Sequence, residues 1–162
     1  MFGFGKKKVV ENDVNLYAPV TGELINLENV SDPVFAGKMM GDGFAVEPNS
    51  GNVVSPVAGE VTLQQGHAVG IKRVDGLEIL VHIGIDTVSL NGAPFAPQVK
   101  VGDIVSGGDT LSVVDWQSIE TAQLPKTTMV LITNSADKLD NLTTNVGSVT
   151  AGEQVGQAIA IN

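Results

Sequence analysis

One seven-residue pattern recurs along the chain and narrows what it can fold into: V-x-x-G-[DE]-x-[VL] runs from Val99 to Val105, again from Val105 to Leu111, and again from Val149 to Val155. A second turn is duplicated, since Ala18-Pro19-Val20-Thr21-Gly22-Glu23 returns as Ser55-Pro56-Val57-Ala58-Gly59-Glu60. Each glycine interrupts short runs rich in Val, Ile and Leu, the pattern of brief strands joined by tight turns. With 19 glycines in 162 residues, the chain exceeds the average share of about 7%, and no long helical periodicity links them. Strands paired through such similar turns imply internal pseudo-symmetry. They close most naturally into an all-β, antiparallel β-sandwich or barrel-like single domain with short helical turns, an architecture that limits open edges.

Two helical turns are expected within this frame. Asp115 is placed to cap a short helix over 115–124, with Pro125 just past its end. Asp32-Pro33-Val34-Phe35 reads as a one-turn helix, Asp32 capping and Pro33 at the first helical position.

Composition excludes several function classes. Nine basic residues against eighteen acidic ones give a formal charge of −9 and a pI near 4.4. No nucleic-acid partner is expected, because binding a phosphate backbone needs a basic face. With no Cys in the chain there is neither disulfide nor thiolate metal site, as suits a reducing compartment. The opening Met-Phe-Gly-Phe-Gly-Lys-Lys-Lys leads into no apolar stretch of signal-peptide length, and nothing approaches a membrane span of ~20 apolar residues. Phe2, Phe4 and Lys6 to Lys8 offer at most a weak contact with an anionic membrane surface through residues 1–8, against the plainer reading of a frayed tail. The expected location is cytoplasmic, with a peripheral position at the inner face of the membrane as its variant.

Both histidines, His67 and His82, lie in one stretch, Gly66 to Val88, and the second sits inside the apolar run Ile79-Leu80-Val81-His82-Ile83. Asp75-Gly76 between them is a hairpin signal. A two-residue loop at Asp75-Gly76 makes the histidines diagonal neighbours on one face, and a four-residue loop, Arg73 to Gly76, sets them directly across from each other. A three-residue loop would part them. Two imidazoles facing one space are either satisfied core residues, two ligands of a metal site that carboxylates such as Asp86 would have to complete, or a nucleophilic pair. In the last case one neutral ring attacks through a free nitrogen while its neighbour donates a hydrogen bond to the incoming group.

Several ordered stretches resemble a known family: Asp32-Pro33-Val34-Phe35-Ala36-Gly37-Lys38-Met39-Met40-Gly41-Asp42-Gly43-Phe44-Ala45, Ser55 to Glu60, His67-Ala68-Val69-Gly70-Ile71, Leu80-Val81-His82-Ile83-Gly84-Ile85-Asp86-Thr87-Val88, Gly102-Asp103 and Ile132-Thr133-Asn134. They are similar to the glucose-type enzyme IIA domain of the bacterial phosphoenolpyruvate-dependent sugar phosphotransferase system. The resemblance runs from about Tyr17 to the C-terminus, which divides the chain into a flexible N-terminal segment, 1–16, and an enzyme IIA domain, 17–162. It implies a β-sandwich phosphocarrier without cofactor or metal that takes a phosphoryl group from phospho-HPr and passes it to a cysteine on the IIB domain of a sugar permease.

Carried over, the resemblance makes His82 the nucleophile, attacking through Nε2, and His67 the neighbour that hydrogen-bonds the phosphoryl oxygens. Asp32 and Asp86 match acidic residues bordering the family's site; the alternatives are helix capping for Asp32 and, for Asp86, ending the strand and capping the turn into Thr87. Val34, Phe35, Leu63 and Leu80 are expected to form an apolar rim for partners, unless they belong to the core. Gln65 stands where the family usually has Thr, and its amide is expected to bond the His67 ring in place of the hydroxyl. The rival readings are a biotinyl or lipoyl-like carrier modified at Lys38, a two-histidine metal-dependent hydrolase lacking a third strong ligand, and a regulatory binding module with inert histidines.

Overall fold

A computed structural model describes residues 9–162. Short strands carry the chain: β1 (Asn15–Tyr17), β2 (Thr21–Asn26), β3 (Asp42–Ser50), β4 (Val53–Val54), β5 (Gly59–Gln64), β6 (Ala68–Lys72), β7 (Glu78–Ile83), β8 (Phe95–Pro97), β9 (Ile104–Val105), β10 (Thr110–Val114), β11 (Thr128–Ile132), β12 (Leu139–Thr144), β13 (Gly147–Val149) and β14 (Gln154–Ala160). The α-helices are brief: α1 (Pro33–Ala36), α2 (Trp116–Thr121) and α3 (Ser135–Lys138). An eight-stranded sheet runs β13-β2-β3-β11-β7-β6-β5-β9, and two three-stranded sheets run β1-β14-β12 and β4-β10-β8. Every strand pair is antiparallel, the all-β architecture predicted from the turns.

The recurring heptapeptides form one turn three times over. Lys100 N–H donates to Asp103 Oδ2 (3.0 Å), Ser106 N–H to Asp109 Oδ2 (2.8 Å) and Thr150 N–H to Glu153 Oε1 (3.0 Å). The preceding glycines Gly102, Gly108 and Gly152 take φ of +99°, +92° and +85°. That is why the motif needs glycine followed by an acid: only glycine enters the left-handed region without strain, and the carboxylate ties off the turn's free N–H.

The expected internal symmetry is present in the hydrogen bonds. Tyr17 N–H donates to Pro56 O while Val54 N–H donates to Pro19 O; Ala18 N–H donates to Glu153 O while Ser55 N–H donates to Asp109 O. Val149 pairs with Gly22, and Val105 with Gly59. The large sheet therefore reads alike from either end, and its pseudo-twofold passes between β7 and β11.

The centre of that sheet is covered on both faces. On the inner face Val69, Val81, Val130 and Phe44 lie in one row and join the main core. On the outer face the adjacent row is Ala68, His82, Met129, Ala45 and Ile25. There Ala45, Met129 and Leu131 pack with Leu27, Val30 and Ile85 in a second, smaller cluster, against which Ile25, Phe35, Ala36 and Leu80 rest. One residue of the second face, His82, is the polar member of an apolar row.

Both expected caps form. Asp32 Oδ1 accepts from Val34 N–H (2.8 Å) with Pro33 opening α1, and the Asp115 side chain accepts from Ser118 N–H ahead of α2. The second helix is shorter than the predicted 115–124, because the chain turns out at Gln123, whose φ is +62°. No helix among the described residues is long and apolar enough to cross a membrane. The Phe2, Phe4 and Lys6 to Lys8 cluster lies outside the described residues.

Candidate functional site

His82 projects from β7 onto the outer face, and its ring is held by the residues immediately C-terminal to it. Nδ1 lies 2.7 Å from Gly84 O. A carbonyl only accepts, so Nδ1 carries the proton and Nε2 keeps its lone pair. Gly84 is fixed in turn by its N–H to Thr127 O (3.0 Å), by Ile85 N–H to Pro125 O (3.1 Å) and by Thr87 Oγ1 donating to Ile83 O (2.5 Å). Its φ is +80°, and a Cβ there would fall 2.4 Å from Thr87 Cγ2. Sequence reasoning does not single out Gly84, although a glycine two residues beyond a strand histidine is the available signal.

Burial holds the His82 pKa below the ordinary imidazole range; the Gly84 carbonyl opposes this, the nearby His67 adds to it, and the charges of Asp32 and Asp86 oppose it. The ring is neutral at neutral pH, as a nitrogen nucleophile must be.

His67 reaches the same space by a route the hairpin arithmetic does not foresee. The loop between β6 and β7 has three residues, Val74-Asp75-Gly76, since Lys72 pairs with Glu78 and Arg73 N–H donates to Leu77 O. The predicted loops have two or four residues. Asp-Gly serves this loop equally well: Gly76 closes a turn by donating to Arg73 O (3.1 Å) and takes φ of +95°. In this register Ala68 faces His82, and Ile83 N–H donates to His67 O (2.7 Å), so strict alternation would send the two rings to opposite faces. Alternation does not hold at His67, because β6 begins one residue later. His67 ends a tight turn at Gly66 (φ +74°), and its N–H donates to Gln65 O (2.9 Å). The imidazole swings onto the outer face, its centroid 5.3 Å from that of His82 and the planes at 79°.

The Gln65 side chain does not make the expected bond. His67 Nδ1 lies 3.1 Å from the backbone oxygen of Gln65, and the Gln65 side chain points to solvent. Both rings thus commit Nδ1 to a backbone carbonyl, leaving both Nε2 atoms for a third group.

Helix α1 roofs one side of the pair. Phe35 stacks obliquely on His82, centroids 5.1 Å apart and planes at 52°. Val34 (42% exposed) and Leu63 (36%) present apolar surface to solvent, as a docking rim requires; Phe35 and Leu80 are half-buried and also pack on the small outer core. Met39 (76%), Met40 and Val88 are further exposed apolar side chains that sequence reasoning passes over. Asp86 stands with φ of +64° before a 3-10 turn, Thr87–Leu90, and its carboxylate makes no cap; its backbone carbonyl accepts from Ser89 instead. Among the described residues no group of three or more His, Cys, Asp or Glu is placed to hold a metal ion. Lys38, the rival attachment point for a carrier, has its ammonium 3.5 Å from Asp42 and 3.9 Å from Glu28.

Known proteins are similar to this chain in sequence and in fold. The model of the family described as phosphoenolpyruvate-dependent sugar phosphotransferase system, EIIA 1, matches residues 14–138. Relatives named PTS system glucose-specific EIIA component include one from Staphylococcus epidermidis, 43% identical over 152 residues, 93% of this chain and 92% of that one. Another, from Oceanobacillus iheyensis, is 45% identical over 159 residues, 96% of each chain. Among solved structures, the glucose permease IIA from Mycoplasma capricolum superposes with a TM-score of 0.78 at 38% identity, covering 88% of this chain and 94% of that one.

Proposed function

The chain belongs to the EIIA 1 family of the phosphoenolpyruvate-dependent sugar phosphotransferase system and carries a phosphoryl group in sugar uptake; from that premise we propose that His82 is the residue that carries it. The enzyme is a phosphotransferase protein of the IIA type. In the proposed cycle the Nε2 lone pair of His82 attacks the phosphorus of phospho-HPr in line. The new N–P bond forms as the donor's bond to phosphorus breaks, and the HPr side chain departs with the electron pair. A thiolate on the IIB domain of the permease then attacks the same phosphorus from outside, and His82 leaves as the neutral ring.

The observation that carries this reading is the paired commitment of Nδ1 to backbone carbonyls beside a 5.3 Å ring separation. Phosphoryl transfer asks mainly for in-line positioning and for donors aimed at the equatorial oxygens. With Nδ1–H committed to Gln65 O, His67 supplies such a donor at Nε2 as the imidazolium, in which both nitrogens carry protons. Asp32 and Asp86 border the ring and, being anionic, disfavour a phosphate held too tightly. Val34 and Leu63, with Phe35 and Leu80 beneath them, are the surface on which HPr and IIB alternate.

In this reading the IIA domain takes in β1 and so starts ahead of the expected residue 17, since Asn15 and Leu16 pair with β14 and Leu16 is buried in the core, and the protein works in the cytoplasm, at times against the membrane face. The relatives' names carry glucose; for this chain the sugar is set by the permease that takes the phosphate, and glucose is the first to test.

The test is incubation with phosphoenolpyruvate, enzyme I and HPr, then mass spectrometry of the modified residue. A label at His82 that is acid-labile and base-stable is expected, as for a phosphoramidate. His82→Ala should accept none, whereas His67→Ala should accept phosphate and pass it on poorly. Labelling that survives His82→Ala overturns the assignment.

A further inference from the structure

His67 owes its place to a turn rather than to a strand, so something must hold that turn. Gly66 N–H points into it with no strand partner, and Gln64 Oε1 accepts from it at 2.9 Å. The other end of the same amide donates from Nε2 to Val99 O at 3.2 Å, in the segment between β8 and β9. The two contacts fix the Gln64 amide orientation, because a flipped amide would set Nε2 against an N–H and Oε1 against a carbonyl. On the far side, an added Cβ at Gly66 would lie 3.7 Å from Gly92 Cα and 3.7 Å from Phe95 Cδ2, so that face of the turn leaves room for one methyl group. What holds the turn is the polar brace of the Gln64 amide.

We propose that Gln64 is a positioning residue for phosphoryl transfer: its amide, bridging Gly66 N–H and Val99 O, locks the turn that aims His67 Nε2 at the phosphoryl group. It touches no reacting atom. Its effect passes through His67, whose own Nδ1 bond goes to Gln65 O in the same turn. The proposal rests on the role given to His67 above and goes beyond it.

Gln64→Met keeps the side-chain length and removes both polar contacts. Onward transfer to IIB should fall roughly tenfold, since misplacement of a catalytic group by about 1 Å can cost up to 100-fold, while acceptance at His82 stays within about twofold. In the His67→Ala background the same substitution should add nothing, the mark of a residue that acts through another. Imidazole ¹⁵N spectra supply a readout independent of transfer: the wild-type His67 should show a single Nδ1-protonated tautomer when neutral, and Gln64→Met a mixture. Gln64→Glu, which keeps the acceptor and loses the donor, should fall between. An unchanged Gln64→Met spectrum overturns the proposal, as does a transfer defect that persists in full without His67. If His67→Ala itself transfers normally, the role of His67 fails, and the tautomer spectrum alone then decides whether Gln64 is the brace.

Discussion

In one half of the large sheet the chain passes from β5 to β6 through Gln65, Gly66 and His67; in the other, the corresponding passage from β2 to β3 takes the whole stretch from Leu27 to Gly41, with a 3-10 turn and α1 in it. The strands on either side match. Gly43 on β3 pairs with Leu131 on β11, and at the corresponding place Ala68 on β6 pairs with His82 on β7. Leu131 is fully buried beneath the α1 excursion, and His82, its pseudo-symmetric counterpart, is half-open. A duplicated scaffold thus becomes a site by asymmetric covering: the long connection roofs one half, and its edge, Phe35, leans over the other. The short connection delivers the second imidazole to the uncovered place.

The largest effect expected from erasing this asymmetry is at the histidine itself. His82→Leu gives β7 the residue its counterpart carries. It should accept no phosphate from phospho-HPr yet keep a thermal midpoint at or above wild type, because it replaces a desolvated imidazole with an apolar side chain in a row already containing Met129 and Ala45. A variant that failed to fold would mean the half-open place cannot accept what the covered one does.

Next in size is the carbonyl that orients the ring. Gly84→Ala forces a side chain to φ +80° and sets Cβ 2.4 Å from Thr87 Cγ2. Stability should drop by about 2 kcal/mol in chemical unfolding, from left-handed strain plus overpacking. Phosphoryl acceptance should fall on the order of 100-fold as Nδ1 loses its fixed acceptor. Retained acceptance would show that the tautomer is set elsewhere.

Much of this is legible in the sequence, and the exceptions share a cause. The repeated turns, the caps at Asp32 and Asp115 and the pseudo-symmetry are readable because each depends on residues within a few positions of one another. The meeting of His67 and His82 is expected for a reason that does not hold. Parity of the β6–β7 loop cannot be read from Asp75-Gly76, since a left-handed glycine ends a three-residue loop as readily as it completes a two-residue one. The rings meet because β6 starts at Ala68, and where a strand starts is decided by tertiary contacts, here Gln64 with Gly66 and Val99. Gln64 escapes notice because its work is done by an amide bridging to Val99, 35 positions away, and Gly84 because its backbone carbonyl does the work, to which the spacing of a glycine after a strand histidine is the sole pointer.

A smaller effect compares His82 with the leucine variant across pH. Burial holds the native pKa of His82 below its unfolded value near 6.5, so as pH falls through about 6.5 the unfolded chain takes up a proton that the native ring refuses. Stability from this group is whole above the unfolded pKa, declines on acidification, and levels off beneath the native pKa. The slope contributed by one such group is at most about 1.4 kcal/mol per pH unit. Denaturation at a series of pH values between about 5 and 8 should show wild type losing stability relative to His82→Leu toward the acid end. Parallel curves would mean the ring is no more desolvated than it is in the unfolded chain.

The least effect expected lies at the far end of the long connection. Helix α1 closes with Lys38 N–H donating to Phe35 O (3.0 Å) and Met39 N–H to Val34 O (3.1 Å), the paired bonds of a helix terminus that wants glycine between them. Lys38 occupies that place at φ +61°, whereas the short connection uses Gly66 at φ +74° for its own turn. Left-handed backbone disfavours a lysine by about 1 kcal/mol, and the ion pairs its ammonium makes with Asp42 and Glu28 are exposed and return little. Lys38→Gly should therefore stabilise the fold by roughly 0.5 kcal/mol after the unfolded chain's gain in entropy is subtracted. The matching change, Gly66→Ala, meets only ordinary van der Waals neighbours but the same left-handed backbone, and should destabilise by about 1 kcal/mol. Opposite signs for the two substitutions in chemical unfolding would show that the excursion tolerates a strained residue that the histidine turn does not. If both destabilise, the Lys38 side chain holds α1 over His82 more firmly than its exposed contacts imply.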